Sequence, residues 1–213
     1  MKMFLKLISN KFTILSFLDA IGIILAFFSI ILLTRVLDPK DYGEYIYYIS
    51  IFAVAMNIFN FSVYQVLVKE TSKGNNETPS LILANITLEF FCGIGSFIIV
   101  IGYLLVVTEI STENRDVFKF LFAIFFLGII SEFIKRALSS SFLSLNKIGS
   151  LGFVNNLNHF IYFIILLSIF YLDLTLTNFI IILSIKVVSN IISCLIMIFI
   201  LNKSIKLFQS TDK

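Results

Sequence analysis

Long apolar segments alternate with short polar ones along the whole chain. Six of them reach about 20 residues or more, the length that an α-helix needs to cross the hydrocarbon core of a bilayer. They span residues 12–33, 45–68, 80–107, 117–143, 151–172 and 177–201. No segment shows the period-two alternation typical of a membrane β-barrel strand. The pattern predicts an all-α polytopic membrane protein whose residues 1–213 form a single six-transmembrane-helix bundle.

Composition supports this class and excludes others. Hydrophobic residues make up 59% of the chain and charged residues 14%, whereas soluble domains average roughly 25% charged residues. A soluble fold of this length could not bury so much apolar surface, so the lipid bilayer is the expected surroundings. The net charge of +3 is small and forms no basic stripe, so no nucleic-acid partner is predicted.

The first apolar segment follows three lysines, Lys2, Lys6 and Lys11, as in a signal peptide. Its apolar run continues to Leu33, however, and is too long for a signal-peptide core of roughly 7–15 residues. No small-residue cleavage site follows it. We expect an uncleaved first transmembrane helix.

The distribution of positive residues predicts the orientation. Lys and Arg residues other than Lys186 number eleven on one predicted side and four on the other. The minority set is Arg35, Lys40, Arg115 and Lys119. Because cytoplasmic loops carry the excess of Lys and Arg, both termini are predicted to be cytoplasmic.

Turn-forming residues are concentrated between the first two segments. Asp38 fits a helix N-cap and Pro39 fits the first helical position, where its missing N–H costs nothing. Asp41 then falls near the positive end of the helix that starts there. Gly43 is predicted to let the chain turn into the second spanning helix. The stretch is interpreted as a charged hinge at the membrane surface.

Most apolar segments carry polar residues at helical spacing, which places each set on one helix face. The polar residues on these faces include Asp19, Glu89, Glu132, Lys135, Arg136, Asn155, Asn158, His159, Lys186 and Asn190. One interpretation is packing, because small and polar side chains join helices in membranes. The other is a polar cavity.

The charged members of this set constrain the fold more strongly. If Asp19, Glu89 and Lys186 all faced lipid, the cost would be on the order of 10 kcal/mol, comparable to the net stability of a domain. They are therefore predicted to face the interior, a polar cavity or each other. Glu132 and Arg136 have the i, i+4 spacing and order of a favourable helical pair.

The sequence gives little support to catalysis. Cys92 and Cys194 lie in apolar segments without metal-like spacing, and free Cys of this kind behaves as a small buried hydrophobe. With a single His, at position 159, and no HExxH motif, a zinc site is not expected. No nucleophile elbow or phosphate-binding glycine loop is present. We predict no enzyme, no metal and no cofactor.

Residues 32–48, LLTRVLDPKDYGEYIYY, resemble the end of the first helix, the outer loop and the start of the second helix in polysaccharide flippases. These proteins belong to the multidrug/oligosaccharidyl-lipid/polysaccharide exporter superfamily. Five residues carry the match: Arg35, Leu37, Pro39, Tyr42 and Gly43. Asp38 stands where the family usually has Gly. Residues 141–158 are similar to the cytoplasmic turn between the fourth and fifth helices, and the order of the six helices agrees.

The resemblance implies transport, namely the flipping of a polyprenyl-diphosphate-linked oligosaccharide across the plasma (inner) membrane for surface polysaccharides such as lipopolysaccharide. Members of the family have twelve or fourteen helices in two lobes, and this chain corresponds to the N-terminal lobe. The expected partners are therefore the lipid-linked oligosaccharide and a second six-helix lobe or a homodimer.

Depth and charge, rather than any motif, suggest which residues would act in such transport. Cationic groups that line a cavity could replace the hydration of a diphosphate, and the candidates are Lys186, Lys135, Arg136 and His159. Asn155 and Asn158 are candidates for binding sugar hydroxyls. Asp19 and Glu89 could take up a proton or Na⁺ and couple its gradient to movement of the lobe.

Two other functions remain open from the sequence. The first is a small-molecule or drug exporter of the same superfamily, which the residues from Arg35 to Gly43 favour less. The second is a truncated membrane protein that transports nothing. Drug-efflux assays would distinguish the drug exporter from the polysaccharide flippase. Export restored by this chain alone in a deletion strain would exclude the protein that transports nothing.

Overall fold

A computed structural model describes residues 11–59, 66, 69–70, 78–107, 115–145, 148–172 and 179–211. These residues contain six long helices and no strand, so the predicted all-α class is confirmed for the part of the chain described. The helices are α1 (Lys11–Val36), α2 (Pro39–Ile58), α3 (Thr78–Val107), α4 (Arg115–Ser144), α5 (Ile148–Tyr171) and α6 (Phe179–Thr211).

Four of these helices are long and apolar enough to cross a membrane. The qualifying stretches lie in α1, α3, α5 and α6: Leu15–Val36, Pro79–Val106, Gly149–Tyr171 and Phe179–Lys203. Lipid-facing surface is plentiful, since large apolar side chains such as Phe17 (67% exposed) and Phe199 (73% exposed) point outward. The apolar helices indicate a membrane protein. The count of six spans stays a prediction.

The connection between α1 and α2 is shorter than the sequence suggested. Only Leu37 and Asp38 lie between the two helices, and the helix predicted to start at Pro39 continues without a break into the segment predicted from residue 45. Asp38 occupies the N-cap position with extended backbone, but its side chain makes no capping hydrogen bond. Gly43 lies inside α2, so the prediction that it turns the chain was wrong. The predicted continuation of this helix through residues 60–65 lies outside the described residues.

The helices form a ring of neighbours around a packed centre. The most extensive contact joins α1 to α5. From there α5 packs on α6, α6 on α4, α4 on α3 and α3 on α2. The contact between α1 and α2 is sparse despite their short connection. The sparse contact between α1 and α2 leaves a cleft between these two helices, and α4, α5 and α6 also line it.

Glycines set the close approach of α1 and α5. Leu15 and Leu18 lie against Gly152, and Asn156 and the His159 ring lie against Gly22. Residue numbers rise together along both helices, so α1 and α5 run parallel. A side chain at either glycine would occupy space that the partner helix fills.

Gly152→Leu is expected to force α1 away from α5 and to lower the free energy of unfolding by about 1–2 kcal/mol, because it overpacks the contact. An added Cβ at this position would already lie 2.9 Å from Leu18 Cδ1. Gly149→Leu is the matched control, since nothing lies within 4 Å of its Cβ position. Thermal unfolding of both variants in detergent checks this, and equal stability would contradict the close contact.

Candidate substrate cleft

Three adjoining cavities occupy the cleft. The apolar cavity, of about 310 Å³, lies between α2, α4 and α6, and is lined by Ile49, Phe52, Ala53, Met56, Ile124, Phe125, Gly128, Glu132, Leu183, Lys186, Val187 and Asn190. The tyrosine cavity, of about 210 Å³, is lined by Ala26, Ser29, Ile30, Leu33, Tyr42, Tyr45, Ile46, Ile49, Asn158, His159, Tyr162 and Lys186. The amide cavity, of about 250 Å³, is lined by Asp19, Gly22, Ile23, Ala26, Asn155, Asn156 and His159.

Shared lining residues show that the cavities are neighbours. Ile49 and Lys186 line both the apolar and the tyrosine cavity, while Ala26 and His159 line both the tyrosine and the amide cavity. Along α1 the lining runs from Asp19 to Leu33, which at 1.5 Å per residue is about 20 Å. The cleft is therefore an elongated path whose middle is the tyrosine cavity.

Lys186 stands where the apolar cavity meets the tyrosine cavity. It is half-buried. Glu132 also lines the apolar cavity, but among the described residues no carboxylate lies within salt-bridge distance of the Lys186 ammonium. A half-buried cation without a direct counter-charge is available to an anionic ligand.

Two tyrosines join α2 to α5 across the cleft. The hydroxyls of Tyr45 and Tyr162 lie 3.2 Å apart and both side chains are buried. Next to them in sequence, the Tyr48 ring stacks on Phe179 with centroids 5.3 Å apart. These contacts hold α2 against the bundle near the α1–α2 connection.

Asn158 is used mainly to join helices. Its carboxamide oxygen accepts a 2.7 Å hydrogen bond from Ser189, and its nitrogen donates to Asn190 at 3.3 Å. Asn190 in turn donates to the Ser131 hydroxyl at 2.9 Å. This chain of bonds ties α5 to α6 and α6 to α4, so Asn158 builds the wall of the tyrosine cavity as well as lining it.

The amide cavity holds the more accessible polar side chains. Asn155 accepts a hydrogen bond from Ser139 at 3.2 Å, and no described residue accepts from its NH₂ group. Asp19 and His159 are exposed at the cavity surface. Asp19 is thus placed at a polar groove, one of the settings that the sequence allowed for it.

Arg136 and Glu89 lie outside the three cavities. Arg136 donates from Nη2 to the Met56 carbonyl oxygen at 3.2 Å, and its guanidinium carbon lies 4.9 Å from the centre of the Phe133 ring. Glu89 is only 6% exposed, and Arg136 is near enough to act on it electrostatically. Two buried atoms, Glu89 Oε2 and Arg136 Nη1, have no hydrogen-bond partner.

The predicted group of cations is therefore divided. Lys186 and His159 line the cleft, whereas Lys135 and Arg136 line none of the three cavities. The expected pair of Glu132 with Arg136 is not formed, because Arg136 turns toward α2 and Phe133 while Glu132 turns toward the apolar cavity.

Of the five residues that carry the family resemblance, only Tyr42 reaches the cleft. Leu37 is buried in the core at 5% exposure, Arg35 is exposed in the last turn of α1, and Pro39 and Gly43 are exposed in the first turns of α2. Tyr45, which also lines the cleft, was not among the residues predicted from the sequence. Its i, i+3 spacing from Tyr42 was the available sign of a shared helix face.

No metal centre emerges from the described ranges, which bring together no three His, Cys, Asp or Glu side chains able to hold an ion. Comparison with protein-family models, with curated proteins and with solved structures finds no match. The short motifs and the geometry of the cleft are therefore the basis for a functional proposal.

Proposed function

We propose that the chain is a six-span lobe of a transporter that flips a polyprenyl-diphosphate-linked oligosaccharide across the plasma membrane, with both termini cytoplasmic. A second lobe or a second copy would complete the translocation path. The observation that carries the proposal is the position of Lys186. Lys186 lines two adjoining cavities, and no carboxylate among the described residues lies within salt-bridge distance of its ammonium.

A cation such as Lys186 suits this substrate because the substrate carries a negatively charged diphosphate. A diphosphate loses its hydration on entering a low-dielectric slab, and a charge-assisted hydrogen bond from a fixed cation offsets part of that cost. Lys186 supplies the cation. Tyr42 and Asn155 offer hydroxyl and amide groups of the kind that bind sugar hydroxyls.

The acidic residues fit ion coupling in different ways. Asp19 lies at the surface of the amide cavity, where a proton or Na⁺ could reach it from the cleft. Glu89 is buried beyond the cleft, so it would sense ions only through movement of α3 and α4. We assign the coupling role first to Asp19.

Deletion of the gene in the organism that makes this protein tests the proposal. The expected result is loss of surface glycan. The lipid-linked oligosaccharide should accumulate in the cytoplasmic leaflet, because its synthesis continues while flipping stops. A plasmid copy of the gene should restore both.

Two other results would overturn it. Greater sensitivity to cationic drugs with intact surface glycan would identify a small-molecule exporter of the same superfamily. Normal glycan and normal drug resistance would identify a membrane protein that transports neither.

A further inference from the structure

Helices α3 and α4 enclose a polar cluster that lies outside the cleft. Asn85 on α3 is only 4% exposed. Its nitrogen donates to the Ser140 hydroxyl at 3.0 Å and to the Ala137 carbonyl oxygen at 3.4 Å. Glu89, one turn further along α3, is 6% exposed. An amide and a carboxyl group are therefore buried together on one face of α3.

The register of the two helices shows what Glu89 faces on α4. Asn85 contacts Ala137, and Gly93, two turns further along α3, lies against the Phe133 ring. Glu89 stands halfway between Asn85 and Gly93 on the same face of the helix. It therefore faces the turn of α4 that lies between those two contacts.

Opposite charges lie near each other here without touching. Arg136 belongs to that turn of α4 and is near enough to act electrostatically on the Glu89 carboxyl group. Among the described residues, however, no hydrogen bond or ion pair joins the two side chains. Glu89 Oε2, Arg136 Nη1 and Asn85 Oδ1 are all buried and unpaired. Because buried polar atoms are nearly always hydrogen-bonded to protein or to ordered water, these atoms indicate a ligand site.

We infer that one water molecule is bound between Asn85, Glu89 and Arg136. Its oxygen accepts a hydrogen bond from Arg136 Nη1, and its two O–H groups donate to Glu89 Oε2 and Asn85 Oδ1. Buried waters typically make about three such bonds to protein groups. The site lies outside the cleft, so the inference does not depend on the proposed function.

The charges around the site favour a neutral ligand over an ion. A cation would be repelled by the Arg136 guanidinium, and an anion by the Glu89 carboxylate. A direct contact between the two side chains would remove hydration from both charges, which is the main cost of a buried ion pair. A water between them keeps part of that hydration while the two charges still attract each other.

Arg136 connects the water site to a third helix. Its Nη2 donates to the Met56 carbonyl oxygen of α2 at 3.2 Å, which leaves Nη1 for the water. One guanidinium thus links α4 directly to α2 and, through the water, to α3. The water is a structural ligand shared by the polar groups of two helices.

Radiolytic hydroxyl-radical labelling of the full chain in lipid nanodiscs tests for the water, because X-rays split bound water into hydroxyl radicals inside the protein. Phe133 is the labelled residue to follow, since it is 0% exposed and its ring centre lies 4.9 Å from the Arg136 guanidinium carbon. Phe142, on the same helix and also 0% exposed, packs in an apolar cluster and is the internal control. We expect oxidation of Phe133 and none of Phe142.

Asn85→Leu removes one acceptor of the water and puts an apolar side chain in its place, so oxidation of Phe133 should be lost. Thr87→Leu, at an exposed position of α3, is the matched control and should be oxidised like the wild type. Full oxidation of Phe133 in Asn85→Leu would overturn the inference. Equal oxidation of Phe133 and Phe142 in the wild-type chain, a comparison that needs no variant, would overturn it as well.

A density map of the wild-type chain that resolves bound waters gives a direct check. It should show one water within hydrogen-bond distance of Arg136 Nη1, Glu89 Oε2 and Asn85 Oδ1. A direct hydrogen bond from Arg136 Nη1 to the Glu89 carboxylate, or an ion in place of the water, would contradict the assignment.

Discussion

Lys186→Met abolishes export of surface glycan in the gene-deletion strain, a fall of about 30-fold or more, if the cleft binds a diphosphate. The substitution keeps an unbranched side chain of similar reach and removes only the ammonium. Hydrogen bonds to charged groups contribute roughly 1.5–3 kcal/mol, and a loss of 2 kcal/mol is close to 30-fold in an equilibrium constant. Surface glycan is measured by gel staining, and the amount of protein in the membrane by immunoblot.

Lys203→Met is the matched control, because Lys203 is an exposed residue of the same helix, almost five turns beyond Lys186. It should export normally. Normal export by Lys186→Met, at normal protein level, would remove Lys186 from the site. Equal loss in both variants would indicate a general requirement for positive charge on α6 instead of a binding residue.

Arg136→Met lowers the free energy of unfolding by about 2 kcal/mol, since hydrogen bonds to charged groups contribute roughly that much and the buried Glu89 carboxyl also loses a nearby cation. Arg136 also joins α4 to α2 through the Met56 carbonyl, and that bond is lost as well. Glu89→Gln in the same chain removes the uncompensated charge and should recover part of the stability. Unfolding in lipid bicelles, followed by steric trapping, measures the single and the double variant.

The arginine control is Arg35→Met, since Arg35 is exposed at the end of α1. Its favourable position at a helix C-terminus is worth no more than about 1 kcal/mol. If Glu89→Gln fails to improve the stability of Arg136→Met, the electrostatic link between α3 and α4 is wrong. Arg136 would then stabilise the fold only through Met56 and the Phe133 ring.

Much of the helix pattern followed from the sequence, because a helix that crosses lipid must satisfy its own backbone and needs a long apolar stretch. Pro39 marked the start of α2 in the sequence analysis, since its ring fits the first helical turn. The error at Gly43 had a physical cause as well. Gly permits a turn but does not require one, and here the chain had already turned at Leu37 and Asp38.

The cost of exposing charge to lipid also predicted correctly that Glu89 and Lys186 face the interior or a cavity. Glu89 is buried and Lys186 lines cavities, as the energy of an ionised group in lipid demanded. Helical periodicity also predicted that Asn155, Asn158 and His159 share one face of α5, because residues three and four apart lie on the same side of a helix. Such arguments fix the face of a single helix.

Sequence by itself thus determined the helical class, the helix that begins at Pro39 and the inward direction of Glu89. Only the tertiary structure decided which faces meet. Tyr45 reaches Tyr162 across 117 residues, and Asn190 reaches Ser131 across 59. In the folded chain Arg136 points away from Glu132, and the Asn158 amide joins α5 to α6. Lys186 lies where two cavities meet. These outcomes depend on how each helix is rotated and how closely it packs, for instance at Gly22 and Gly152, and no spacing within one helix contains that information.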